Sequence, residues 1–123
     1  MKSFDTFLWI VMLVSFCGCY NDNTEELYPQ PPCDTTMATY SLKISSIIST
    51  QCAYSGCHSG VAPADQIDLT TYQGLKNIVD NGTLLGSIKR ETGYVAMPPN
   101  TSMLDKCLIE NIEKWVQEGA LNN

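Results

Sequence analysis

Near the middle of the chain lies the stretch CAYSGCH, residues Cys52–His58, in which a histidine directly follows the second of two cysteines. This is the residue order of covalent haem attachment, here with four residues between the cysteines instead of the more common two. Each thiol would add to one vinyl group of the porphyrin, and His58 would be the proximal axial ligand of the iron. We therefore predict one covalently bound haem c at Cys52, Cys57 and His58.

The same two cysteines have other interpretations. A pair this close in sequence can form a disulfide or supply half of a zinc site. A structural zinc site needs four ligands, whereas His58 is the only histidine of the chain and the other cysteines lie far away in sequence. The zinc interpretation is therefore short of ligands, and the disulfide stays open.

A second axial ligand has to be a different residue type, because the chain has no second histidine. In the segment YVAMPP, residues 94–99, Met97 directly precedes a proline in a predicted loop. A thioether sulfur is a soft, neutral ligand that favours ferrous iron, and Pro98 fixes φ after the methionine. Methionine followed by proline, in a loop before the last helix, resembles the distal-ligand segment of class I cytochromes c, and Met97 is therefore the predicted distal ligand. The alternative is a methionine that fills the core, and Met103 and Met37 are the competing methionines.

Hydrophobic periodicity predicts an all-α domain of three to four short helices, with no strand-like alternation. Apolar residues recur at helical spacing from Tyr40 into Cys52, from Tyr72 to Val79, and from Leu108 to Val116, and a further short piece covers residues 84–89. Thr70 or Thr71, and Ser102 or Asp105, are candidate N-caps. Gly119 ends the last helix, and Asn111 falls on its polar face.

The N-terminus predicts export. Lys2 is followed by an apolar run, residues 7–16, which is too short to span a bilayer and is typical of a signal peptide. Cys19, preceded by Gly18, resembles the lipidated cysteine of bacterial lipoproteins. We predict a signal peptide over 1–18, a polar linker rich in proline over 19–34, and a folded domain over 35–123. The alternative is an ordinary cleaved signal that removes Cys17 and Cys19.

Composition limits the partners. The net charge is −6 and the acidic residues are dispersed, so the chain lacks the basic patch that nucleic acid binding needs. Removing residues 1–18 takes away Lys2 and Asp5, which leaves twelve acidic and six basic residues. We expect a monomer whose redox partner presents a basic docking patch. Six cysteines agree with an oxidising compartment.

Taken together, these pieces resemble the single-haem cytochrome c domain lipoproteins of Bacteroidetes-type bacteria. The resemblance covers about residues 33–123 and is carried by these segments: CDTT (33–36), CAYSGCH (52–58), IDLTTY (67–72), Met97-Pro98 and the ending 115–123. It implies a class I cytochrome c-like fold, in which the first and last helices cross beside one haem. The apolar run, Cys19 and the polar linker separately predict a lipid-anchored location in the cell envelope, facing the periplasm or the cell surface.

Cys33 and Cys107 are then left as an even pair. If the first and last helices cross, their starting regions come close, and we predict a disulfide between the two cysteines. The alternative is two free thiols.

Two classes of function remain. The first is an electron carrier whose haem has His58 and Met97 as axial ligands. A haem enzyme would need an open iron position, so the sequence predicts no enzyme. The second is a non-redox surface lipoprotein, an interaction module with both Cys52–Cys57 and Cys33–Cys107 as disulfides.

Overall fold

Residues 31–123, the part of the chain that this computed structural model describes, consist of helices joined by loops. The range contains four α-helices: α1 Ser45–Gln51, α2 Tyr72–Asp80, α3 Thr83–Ile88 and α4 Lys106–Gln117. A π-helical turn, Tyr40–Ile44, runs directly into α1, and a 3₁₀ turn, Ala64–Gln66, precedes α2. The same range has no β-strand, only an isolated bridge between Ser55 and Ser59. The predicted all-α class is confirmed for these residues.

Side-chain caps fix where the two longest helices begin. The Thr71 hydroxyl accepts a hydrogen bond of 3.1 Å from the Gly74 N–H at the start of α2. The Asp105 carboxylate accepts one of 2.8 Å from the Cys107 N–H at the start of α4. Each satisfies a donor that has no partner within its helix. Of each predicted pair of caps, the residue nearer the helix is the one used.

A glycine turn ends α4 and reverses the chain. Gly119, with φ at 96°, donates to the Val116 carbonyl at 3.0 Å, and the Ala120 N–H donates to the Trp115 carbonyl at 2.9 Å. This pair of bonds is the Schellman motif, in which a left-handed residue closes the helix. The Trp115 indole N–H then donates to the Leu121 carbonyl at 2.9 Å, which holds the last residues along α4.

The chain end also completes the first helical turn. Asn123 accepts a bond from the Tyr40 N–H through its side-chain Oδ1, at 3.0 Å, and one from the Ser41 N–H through its carbonyl, at 2.8 Å. These N–H groups belong to the unpaired donors at a helix start. The Tyr72 hydroxyl donates to the Ala120 carbonyl at 2.8 Å. The last residues therefore join α2 and α4 to the π-helical turn.

All four helices and the π-helical turn contribute to the core, and α4 packs directly against that turn. The largest side chains with almost no exposed surface are Trp115, Ile44, Leu75 and Ile112. Burial of a side chain of this size contributes about 1.5–3 kcal/mol. The Tyr40 ring meets the edge of Tyr72 at a centroid distance of 5.1 Å and lies 6.0 Å from the Trp115 ring. The first and last helical segments are thus fixed to each other.

A disulfide joins Cys33 to Cys107 in the first turn of α4, with the Cα atoms 5.3 Å apart. The predicted bond is therefore present. Asn111 lies one turn further along α4, and its Nδ2 donates to the Cys107 carbonyl at 2.9 Å and to Cys33 Sγ at 3.2 Å. Its placement on the polar face was wrong, because these contacts let a polar side chain lie buried beneath the disulfide.

Residues Cys33–Asn123 form one compact unit. Within the described range, no helix combines the length and the apolar character that crossing a membrane requires. The predicted signal peptide 1–18, the lipidation candidate Cys19, its alternative Cys17 and most of the predicted linker 19–34 lie outside the described residues.

Candidate functional site

A cavity of about 470 Å³ opens between the segment after α1, helices α2 and α3, and the loop before α4. Its lining includes Cys52, Cys57, His58 and Met97. The CAYSGCH motif and the methionine, which are distant in sequence, therefore meet at one site. The volume lies within the roughly 300–1,000 Å³ that is typical of cofactor sites. Cys33 and Cys107 are not on this lining.

The walls of the cavity are largely aliphatic. Ile67 and Leu69 lie on the side of the motif, and three further aliphatic residues come from α2 and α3: Ile78, Leu84 and Ile88. Leu69, Leu84 and Ile88 are buried. Such walls suit a largely apolar ligand.

The CAYSGCH segment closes on itself and so turns both cysteines toward the cavity. Cys52 caps the end of α1 through a bond of 2.9 Å from its N–H to the Ile48 carbonyl. The Cys52 carbonyl then accepts from the His58 N–H at 3.1 Å, and the Cys57 N–H donates to the Tyr54 backbone carbonyl at 3.0 Å. The spacing of four residues is therefore accommodated by a compact loop.

Cys52 and Cys57 are not joined to each other by a disulfide. Burial, helped by the neighbouring Cys57, raises the pKa of the Cys52 thiol to about 11. A hydrogen bond to Cys57 raises the pKa of the exposed Tyr54 hydroxyl. A metal bound by thiolate would have to displace the Cys52 proton, which weakens such a site. Within residues 31–123, no group of three or more His, Cys, Asp and Glu residues is placed to hold a metal ion.

The imidazole of His58 is oriented by a backbone carbonyl. Its Nδ1 lies 3.1 Å from the Ile67 carbonyl oxygen. A carbonyl oxygen can only accept, so we assign the hydrogen to Nδ1, and this leaves the Nε2 lone pair free. A hydrogen bond of this kind fixes the tautomer and the ring orientation of a ligating histidine. His58 is therefore prepared to bind a metal through Nε2.

The segment that carries this carbonyl is itself fixed. The Leu69 N–H donates to the His58 carbonyl at 2.9 Å. Asp68 Oδ1 accepts from the N–H and the hydroxyl of Thr70, at 2.9 and 2.6 Å, and these bonds lower the pKa of the Asp68 carboxyl. Gly74 lies so close that a Cβ there would be 1.8 Å from the Asp68 carbonyl oxygen. The start of α2 thus supports the residues that orient the imidazole.

Met97 is the methionine that lines the cavity. Its N–H donates to the Ser87 carbonyl at the end of α3, at 3.1 Å, and its side chain is half-buried. The competing methionines do not line the cavity and are exposed, Met103 at 48% and Met37 at 56%. Among these three, Met97 is the residue positioned to ligate a metal inside the cavity.

Tyr94 also lines the cavity, although its sequence position indicates no role there. A Cβ built on Gly86 would lie 2.4 Å from the Cδ2 and Cγ atoms of Tyr94, so the ring lies directly against the backbone of α3. Gly82 and Gly86 lie one helical turn apart, and this spacing of glycines could have indicated that another side chain packs closely against α3. The contact positions the loop three residues before Met97.

No family model, no curated protein and no solved structure matches the chain. The cavity itself can be tested for its fit to a haem. It offers aliphatic walls for the porphyrin, two thiols for its vinyl groups, one imidazole with a free Nε2 and one thioether. This donor set fits the group in both number and type.

Proposed function

We propose that the chain is an exported monohaem c-type cytochrome that transfers electrons. The observation that carries the proposal is the meeting of Cys52, Cys57, His58 and Met97 on one apolar cavity. The packing of α4 against the π-helical turn agrees with a class I cytochrome c-like fold. When bound, the haem would supply one-electron cycling of its iron between the ferrous and ferric states.

The residues of the site would hold this group in three ways. Cys52 and Cys57 would each add S–H across one vinyl group, which forms a C–S and a C–H bond and needs no oxidant. His58 would bind through Nε2, with its ring held by the Ile67 carbonyl. Met97 would bind through sulfur, with its backbone held by Ser87. Because His58 and Met97 would both hold the iron, no protein-free position would be left for a substrate, which favours electron transfer over catalysis.

Location and partners extend the same proposal. We infer that Cys19 carries a lipid anchor and that the domain works in the cell envelope, facing the periplasm or the cell surface. The dispersed acidic charge supports a redox partner with a basic docking patch. Cys19→Ser should abolish labelling by a fatty-acid analogue, whereas labelling lost only in Cys17→Ser would move the anchor to that residue.

The decisive experiment is production of the full chain together with haem-maturation machinery. We expect the intact mass to exceed that of the polypeptide by one haem, and the haem to stay on the protein in a denaturing gel. Replacing Cys52 and Cys57 by serine should remove this covalent attachment. A colourless protein with a Cys52–Cys57 disulfide would contradict the proposal and favour the alternative of a non-redox interaction module stapled by two disulfides.

The distal ligand has its own test. Ferric iron bound by methionine gives a weak charge-transfer band in the near infrared, and Met97→Ala should abolish it. Met103→Ala is the matched control, because Met103 lies off the cavity and should leave the band unchanged. Loss of the band in the control instead would show that the wrong methionine was assigned.

A further inference from the structure

The loop between α3 and α4 is bridged by one side chain, that of Arg90. Its Nη2 donates to the Thr101 carbonyl at 2.5 Å and reaches the Pro98 carbonyl at 3.5 Å. The Thr101 hydroxyl adds a bond of 3.4 Å to the same Pro98 carbonyl. Arg90 therefore connects the beginning of the loop to a point beyond Met97, and the methionine lies inside the segment that this contact closes.

Two backbone N–H groups of the loop donate to one carbonyl, that of Ser87. The Ser87 carbonyl accepts from the Arg90 N–H at 3.2 Å and from the Met97 N–H at 3.1 Å. Arg90 has a φ of 57°, in the left-handed region that reverses the chain after α3. Because Ser87 lines the cavity, this point holds the Met97 backbone at the cavity wall.

The guanidinium suits this contact better than another cation would. It is always charged, and its planar group places the two N–H donors of Nη2 toward the Thr101 and Pro98 carbonyls. Hydrogen bonds from a charged donor are stronger than neutral ones. The adjacent cation behaves differently: the Lys89 ammonium lies 2.7 Å from the Glu113 carboxylate and 3.5 Å from that of Glu91. Lys89 thus forms surface ion pairs, while Arg90 bonds the loop.

We propose that Arg90 is a positioning residue that keeps the Met97 loop closed over the cavity and thereby sets how readily Met97 leaves its metal. The role at the iron rests on the proposed function. Without the guanidinium, the Pro98–Thr101 segment loses its connection to α3. The Met97 N–H then breaks its bond to Ser87 more often, and an external ligand finds the iron position open more often.

The test compares R90Q and R90K with K106Q in the full-length protein. K106Q is the matched control, because it also replaces one positive charge by a neutral amide. Lys106 is exposed, begins α4 just after the loop, and pairs with Glu110 at an N···O distance of 3.8 Å. Two rates are measured: hydrogen exchange of the Met97 amide, and displacement of Met97 by imidazole in the ferric protein. R90Q removes one charge-assisted hydrogen bond that is partly screened by solvent. We therefore expect both the amide exchange rate and the displacement rate to increase about tenfold in R90Q.

R90K should restore part of the effect, because its ammonium keeps the charge and can still donate to a carbonyl, although its donors are not held in a plane. R90Q and K106Q should both be fully folded in the absence of urea, where the exchange is measured, which separates opening of the loop from loss of the fold. Equal amide exchange in R90Q and K106Q would overturn the proposal. Faster exchange with unchanged imidazole displacement would overturn the role at the iron. A colourless wild type would instead overturn the proposed function, while the exchange rates would still decide whether Arg90 closes the loop.

Discussion

The contact between Gly86 and Tyr94 predicts a measurable clash. A Cβ added at Gly86 lies 2.4 Å from two ring carbons of Tyr94. Carbon atoms in contact normally stand about 3.5–4.0 Å apart, so in Gly86→Ala the ring has to withdraw by roughly 1 Å. Tyr94 is 42% exposed, and its ring can therefore move toward solvent without rearranging the core.

Two effects of opposite sign determine the size of the change. Overpacking of this kind costs about 1–3 kcal/mol, while alanine in a helix is favoured over glycine by about 1 kcal/mol. We expect Gly86→Ala to lower the free energy of unfolding by roughly 1 kcal/mol. When Tyr94 is alanine, the clash is absent and only the gain in helix propensity remains. Gly86→Ala should then raise the free energy of unfolding by about 1 kcal/mol.

The assay is a double-mutant cycle of Gly86→Ala and Tyr94→Ala, followed by urea unfolding with all four proteins in the same haem state. The sign of the Gly86→Ala effect should reverse between the two backgrounds, with a coupling free energy of about 2 kcal/mol. An equal effect in both backgrounds would refute the reasoning, because it would show that Tyr94 does not limit the space at Gly86.

Three further outcomes follow from the structure. Replacing Cys33 and Cys107 together by serine opens a loop with a sequence separation of 74, so the free energy of unfolding measured in urea should fall by about 4 kcal/mol; a loss of less than about 1 kcal/mol would contradict the loop-closure account. In protein without haem, the free energy of unfolding should decrease between pH 9 and about pH 11. The Cys52 thiol of the unfolded chain loses its proton near the usual pKa of 9.0, whereas burial raises the pKa of the same thiol in the folded protein to about 11. Unfolding curves recorded across this range should show the decrease in wild type and a weaker one in Cys52→Ser, and a decrease of the same size in both would assign it to another group. Electron transfer to a basic partner should slow as ionic strength rises, because salt screens the attraction, and a stopped-flow rate that increases with salt would exclude a basic docking patch.

The sequence predicted well those features that depend on neighbouring residues. Thr71 and Asp105 cap helices through N–H groups two or three positions away, and Gly119 ends α4 through its own left-handed backbone. The short piece predicted at residues 84–89 is α3, Thr83–Ile88. Signals of this type are readable because the donor, the acceptor and the turn lie within a few residues of one another.

Features that depend on distant backbone atoms could not be predicted. His58 is oriented by the carbonyl of Ile67 and Arg90 by that of Thr101, and a carbonyl has the same chemistry in every residue. Asn111 was assigned to the polar face because its side chain is polar, but its environment is set by Cys33, which is far away in sequence. Residue types indicated which side chains could form the site, while the tertiary fold determines what holds them in place.

The position of Cys33 also determines how the domain would carry a mechanical load. Cys33 is the first residue of the compact unit, so tension on the preceding chain enters the fold there. With the disulfide intact, the force passes through a covalent bond into the first turn of α4. The π-helical turn, which is held at Tyr40 and Ser41 by hydrogen bonds to Asn123, then carries none of this force. After reduction, the same tension would act on the π-helical turn and separate it from Asn123. The oxidised domain should therefore resist stretching at Cys33, whereas the reduced domain should unfold from its first helix.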